Sequence, residues 1–271
     1  MSTHYLENWT RLPDVRKTDT VTDFPTRLPS LAVGVEILLD PNKQTFALCY
    51  ENNPSVETIT HWMDDLILPQ LMAYDGHLVL HCGAVASTIG ALGFMGPSGV
   101  GKSTLTASLH DFGLKLMSDD AMLLSFEGES LVAERLHPSL RLFPDTIDQM
   151  FPNVASTTPV ADYTDKRHIA LTPGPASAPL VALFRLTDPS DDIRISRMTF
   201  ADACIALIAN SFALDPRDPA EAKHRFTKAA EVARHVPVYD LHYPRDYGVL
   251  PEVHDLIFKT VGLEHVETTP A

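Results

Sequence analysis

Basic residues are scarce in this chain of 271 residues: 21 lysines and arginines stand against 35 aspartates and glutamates, a formal net charge of −14. That balance argues against binding a nucleic-acid backbone and against polybasic attachment to anionic membranes. Neither partner is expected, and the acidic total favours a neutral or basic substrate. Long apolar runs are missing too. None approaches the roughly 20 residues that span a bilayer, and Met1–Lys17 lacks the apolar core of a signal peptide. Cysteine is sparse. Cys49, Cys82 and Cys204 make neither a CxxC metal pattern nor an even disulfide set, which fits three reduced thiols in a cytoplasmic protein. What is present is 45% hydrophobic residues, enough for one substantial core or a core with a small lobe.

The chain has no internal repeat. Residues 1–30 are polar and proline-punctuated. Residues 31–39 and 45–50 read as two strands around an Asp40–Lys43 turn. After the break at Asn52–Pro54, Ser55 is placed to cap a helix. Val56, Ile59, Trp62, Met63, Leu66, Ile67 and Leu71 then follow at helical spacing as one core-facing stripe. From His77 the pattern becomes short apolar strands, 77–86 and 90–96. A helix over 101–112 with Gly113 as C-cap, a strand at 114–117 and a hairpin through Glu127–Glu129 follow. The Pro-, Thr- and Ala-rich stretch 156–179 reads as an extended surface loop. Beyond it come strands at 180–186 and 192–197, a helix from Thr199 to about Leu214 and a helix over 219–235. A strand at 236–243, a helix at 249–261 and a frayed tail complete the chain. The expectation is an α/β fold in two parts: a strand-rich N-terminal part with one helix, 1–75, and an α/β body, 76–271.

The strongest signal is Gly96-Pro97-Ser98-Gly99-Val100-Gly101-Lys102-Ser103, a complete G-x-x-x-x-G-K-[ST] loop between an apolar strand and a helix. The glycines let successive N–H groups turn inward on a phosphate, and the helix brings the positive end of its dipole to the same anion. Lys102 is suited to the β- and γ-phosphates, Ser103 to Mg²⁺, and Thr104 lies on the first helical turn. ATP and Mg²⁺ are therefore expected. Ser118-Asp119-Asp120 follows a short strand, at the sheet edge where such folds bind ligands. One of its carboxylates would face the metal and the other the acceptor, and two adjacent acids raise the pKa of at least one. Spacing alone is equally satisfied by two loop aspartates that cap backbone N–H groups. His81, read as lying on the strand before the loop, is by itself more readily a satisfied core histidine than a catalyst, as is His77.

These residues together resemble a family. His81-Cys82-Gly83-Ala84, the loop Gly96–Thr104 and Ser118-Asp119-Asp120 are similar to the catalytic domain of HPr kinase/phosphorylase and its relatives, as is VPVYDLHYPRDYGVLPEV at 236–253. Those relatives include serine kinases of ribosomal peptides such as lasso-peptide precursors. The resemblance spans roughly residues 76–260. It implies a P-loop fold with a mixed sheet like that of HPr kinase and phosphoenolpyruvate carboxykinase, and a homo-oligomer, since members often self-associate. It assigns proton acceptance to Asp120, tuning of that carboxylate to His81, phosphate contacts to Lys102, and the family's arginine to Arg141. Lys166-Arg167 is a counterpart for a later basic loop. The family's metal-binding glutamate is absent from His137–Arg141, so Asp119 or Asp145 is left for the second metal contact, and the reverse phosphorolysis is not implied. The N-terminal part does not resemble the family's regulatory domain.

Three functions remain open on the residues: transfer of the ATP γ-phosphoryl to a serine of a peptide or protein, transfer to a small hydroxyl metabolite, and an ATPase switch.

Overall fold

The computed structural model describes residues 8–17, 24, 26–29, 34–137 and 139–263. The expected strand residues 31–33, half of residues 1–30 and the tail from Glu264 lie outside them. In chain order the elements are β1 (Thr10–Arg11), β2 (Val15–Arg16), β3 (Thr26–Pro29), β4 (Val35–Asp40), β5 (Thr45–Tyr50), α1 (Val56–Trp62), a π-helical turn (Met63–Ile67) and α2 (Leu68–Tyr74). Next are β6 (Leu78–Leu80), β7 (Cys82–Ser87), β8 (Gly90–Met95), α3 (Lys102–Asp111), β9 (Lys115–Ser118), β10 (Met122–Glu127), β11 (Ser130–Arg135), β12 (Leu140–Leu142) and α4 (Pro144–Met150). The chain ends with β13 (Thr157–Ala161), β14 (Thr164–Ile169), β15 (Ser177–Leu186), β16 (Arg194–Arg197), α5 (Phe200–Ala209), α6 (Pro219–His235), β17 (Val238–His242) and α7 (Leu250–Val261).

The fold is mixed α/β. Strands β1 to β5 form one sheet, whose inner residues Ile37, Leu39, Phe46 and Leu48 pack with Trp9 on Trp62, Ile67 and Leu71 of the helical segment. The nine-stranded sheet runs β6-β10-β11-β15-β8-β7-β9, with β17 joined to β15 and β16 to β17. The ten-residue β15 serves two neighbours on one side: its start pairs antiparallel with β11 and its end parallel with β17. Helices α3 and α7 cover one face through Leu105, Leu109, Val253 and Ile257 on Leu92, Phe94 and Phe184. Helices α5 and α6 cover the other through Ala206, Leu207, Ala229 and Val232 on Leu80, Ala84 and Met95.

This topology places the site. β8 and β9 each pair antiparallel with β7, so they run the same way. Their C-terminal ends, and with them Gly96 and Asp119, therefore meet at one sheet edge, where α/β sheets bind ligands.

Four expectations need correction. Residues 77–86 are not one strand: the chain breaks at His81, because β6 pairs with β10 while β7 pairs with β8 and β9. Residues 156–179 are not an extended loop; β13 and β14 form a hairpin in a third, small sheet with β12. Pro159 hid that hairpin, yet it sits on the edge strand at a register shift, where a residue without an N–H is tolerated. The helix begun at Thr199 stops at Ala209, and Ser211 instead bridges Leu80. Finally, Val56 at the head of the apolar stripe is 76% exposed, so the stripe buries only its later members.

Candidate active site

The loop residues expected to bind phosphate are contiguous between β8 and α3. Gly101 is the N-cap of α3 with φ 101°, in the left-handed region that a side chain rarely adopts. Gly96 has φ 146°, and a Cβ there would stand 2.9 Å from the carbonyl oxygen of Leu186. Lys102 is buried and folds back on the loop, its Nζ donating to the carbonyl oxygens of Gly96 at 2.8 Å and Pro97 at 3.1 Å. Burial lowers its pKa, with the charges of Asp120 and Asp119 opposing the shift. The Cys82 thiol is itself pushed up to about 12 by burial and is inert as a nucleophile.

Asp119 and Asp120 both turn to Arg141 on β12. Asp119 is 1% exposed, and its Oδ2 accepts the backbone N–H of Arg141 at 3.0 Å, with the guanidinium Nε 3.7 Å away. Asp120 Oδ2 lies 2.8 Å from Nη2 of Arg141, and its Oδ1 is 3.3 Å from Nε2 of His81. The break between β6 and β7 is what frees His81 for this contact. Its N–H is taken by the carbonyl of Asn210 and its ring lies 6.0 Å from that of Phe212.

The two adjacent acids are driven apart. Burial, then the Asp120 charge, pushes the Asp119 carboxyl up to about 6. Burial acts the same way on Asp120, but Arg141 and then His81 outweigh it and hold that carboxyl well below the usual range. The pair does contain one raised carboxyl, as two neighbouring acids require, and it is Asp119.

Arg141 is 2% exposed and has a third carboxylate partner that the sequence reading missed, Asp65 of the π-helical turn. Asp65 Oδ2 also takes His61 Nδ1 at 2.5 Å. Burial works against both charges. Arg141 keeps Asp65 ionised, and the carboxylates of Asp120, Asp65 and Asp119 raise the pKa of Arg141. The available signal was a His–Asp pair at i,i+4 interrupting an apolar stripe.

Lys102, Asp120, His81, Arg141, Asp65 and His61 all border one cavity of about 610 Å³, and Asp119 is buried beside it. Ser98, Gly99, Gly101, Lys102, Ser103 and Thr104 form its floor. Asp120, His81, His61, Asp65, Leu66 and the hairpin residues Tyr163 and Lys166 also line it. Gly96, Pro97 and Val100 shape the loop from behind. A neighbouring cavity of about 540 Å³, lined by Asp145, Asp165, Lys166 and Arg167, adjoins it through Phe143, Thr164 and Lys166. Asp145 belongs to that neighbour and not to the main cavity, which leaves Asp119 as the acid beside Ser103.

A nucleotide and Mg²⁺ can be tested against these residues. The buried Oδ1 of Asp119 has no hydrogen-bond partner, a state that costs free energy unless a ligand fills it. The Ser103 hydroxyl is near enough to that carboxyl to favour its charged form. A Cβ on Gly99 would meet nothing within 4 Å, so the loop is open to the cavity there. Ser103 and Asp119 therefore fit Mg²⁺, and the loop fits phosphate.

No family model matches the chain, and no curated protein matches it. Among solved structures it is similar to the Hpr(Ser) kinase/phosphatase from Coxiella burnetii, with 11% sequence identity over 67% of this chain and 95% of that chain and a TM-score of 0.36. The likeness is distant, and the functional case rests on the geometry of this chain. Among the described residues no helix is long and apolar enough to cross a membrane.

Proposed function

We propose that this chain is an ATP- and Mg²⁺-dependent phosphotransferase that passes the γ-phosphoryl group to a serine hydroxyl of a peptide or protein. The observation that carries the reading is the single cavity in which Lys102 and Ser103 of the glycine-rich loop face the His81-supported carboxylate of Asp120. Phosphoryl transfer asks for little covalent chemistry from a protein, mainly position and compensation of charge.

Each residue then has a task. Backbone N–H groups of the loop Gly96–Thr104 would hold the phosphates; Pro97 has none, and that of Val100 is given to the Pro97 carbonyl. Lys102, now satisfied by two loop carbonyls, exchanges them for β- and γ-phosphate oxygens. Ser103 and Asp119 would hold Mg²⁺, which offsets charge on the phosphates when bound. Asp120 orients the acceptor hydroxyl and takes its proton. The transition state is loose, so the proton leaves late and a carboxylate of low pKa suffices. His81 fixes Oδ1 of that carboxylate, and Arg141 stabilises it as an anion. The serine acceptor follows the sequence resemblance and the accessibility of the cavity at the β13–β14 hairpin, where Tyr163 is 45% exposed.

The test is incubation of the protein with γ-labelled ATP, Mg²⁺ and a pool of cognate peptides and proteins, read by mass spectrometry. Phosphoserine on a defined acceptor is the expected outcome. Label found only in inorganic phosphate would replace transfer by an ATPase switch, and label in a small molecule would replace the peptide acceptor.

A further inference from the structure

We infer that Asp65 is a positioning residue for the transfer, holding the Arg141 guanidinium so that one of its nitrogens, and not two, engages Asp120. The N-terminal helical segment thereby completes the active site. The inference rests on the phosphotransferase reading and names a residue which that reading does not require.

Asp65 is the one buried charged residue of the segment Val56–Tyr74, next to Trp62, Ile67 and Leu68; the other buried polar side chains there, Thr58 and Gln70, are neutral. The helix is widened to a π-helical turn over Met63–Ile67. Such turns are rare within α-helices and recur at functional sites. Taking a carboxylate out of water costs several kcal/mol unless it is paired. Neutralising Arg141 does not need Asp65, because Asp119 and Asp120 already supply two negative charges.

What Asp65 adds is direction. A guanidinium is a planar fork that readily grips one carboxylate with two nitrogens. Here the fork is split: Nη1 goes to Asp65 and Nη2 to Asp120 Oδ2 at 2.8 Å, with Nη1 also 3.3 Å from His61 Nδ1. With Nη1 anchored on Asp65, Nη2 is the nitrogen directed at Oδ2 of Asp120. Without Asp65 the fork is free to close on both oxygens of Asp120 and to displace the acceptor hydroxyl and His81 from Oδ1. Asp65 shares the cavity with the phosphate loop, but its bonds run to Arg141 and His61 and not to the loop, so its loss is expected to act on transfer before nucleotide affinity.

The test is a double-mutant cycle in the full-length protein with Asp65→Asn, Arg141→Lys, which keeps the charge but not the fork, and the pair together. Transfer turnover and Mg·ATP affinity are measured for each. Asp65→Asn is expected to lower kcat about ten- to a hundredfold, the scale of a misplaced reacting group, with the nucleotide affinity unchanged. The double variant is expected to be no slower than Arg141→Lys alone, because Asp65 acts through Arg141. Multiplying losses would overturn the inference, as would a wild-type rate in Asp65→Asn. Should Asp65→Asn melt below the assay temperature, His61→Gln, which removes the ring beside both Asp65 and Nη1 but leaves the Asp65–Arg141 pair in place, enters the same cycle. A smaller kcat loss absorbed by Arg141→Lys supports the inference, and a loss that adds to it, or none, overturns it. A wild-type protein that transfers phosphate to no acceptor would remove the phosphotransferase reading and this inference with it. An active wild type with an unaffected Asp65→Asn would remove the inference alone.

Discussion

Asp120→Asn is expected to reduce phosphoryl transfer by about 10²- to 10⁴-fold, the usual contribution of a positioned proton acceptor, while leaving Mg·ATP affinity within about twofold. The amide keeps the size of the side chain and still accepts one hydrogen bond, but it cannot take the acceptor proton. It also leaves Nη2 of Arg141 and Nε2 of His81 without the anion they now share. Nucleotide affinity survives because the loop and Lys102 bind through their own contacts. Turnover and equilibrium titration on the same preparation separate the two effects. Full activity in this variant would move the proton acceptor elsewhere.

Arg141→Gln is expected to cost about 3–5 kcal/mol of stability at neutral pH, the range for removing one partner from a buried charge cluster. It strands Asp65, Asp119 and Asp120 together. The loss has a pH signature. In the wild type, Asp65 and Asp120 are held low. Their contribution is present above the unfolded carboxylate pKa of about 4 and fades as pH falls through their lower folded values. Without the guanidinium, burial and mutual repulsion raise the same carboxyls above the unfolded value. Their protonated forms then favour folding at low pH, and stability is lost as pH rises through the raised pKa. Asp119, already raised to about 6 in the wild type, acts in that second direction in both proteins. The gap between wild type and variant is therefore widest near pH 8 and narrows towards pH 4. Urea unfolding at both pH values measures it, and a gap independent of pH would mean that the three carboxylates are not coupled through Arg141.

The loop and its flanking elements were legible because glycine and the apolar runs punctuate them: β8, the left-handed Gly101 and α3 fall where the pattern put them. The Thr199 cap was legible for the same local reason, its side chain accepting the Asp202 N–H at 3.2 Å. The meeting of Asp119, Asp120 and Arg141 needed the resemblance, since residues so far apart in sequence have no local signature. His61 and Asp65 stayed hidden because a 3.6-residue periodicity describes an α-helix, and the π-helical turn shifts which residues face inward. The β13–β14 hairpin, which brings Tyr163 and Lys166 to the cavity, stayed hidden because Pro159 and the threonines mimic loop composition. His81 was placed on a strand because its apolar neighbours run unbroken. The break there is a matter of which strand pairs with which, and pairing is not written in a single segment.

The claim beneath all of this is that Gly96–Ser103 is the nucleotide site, and equilibrium titration of Mg·ATP into the wild type and Lys102→Met tests it most directly. Saturable Mg²⁺-dependent binding, weakened at least about a hundredfold (roughly 2.7 kcal/mol) by Lys102→Met with the fold intact, is the predicted result. No binding by the wild type, or equal binding by both proteins, would contradict the account.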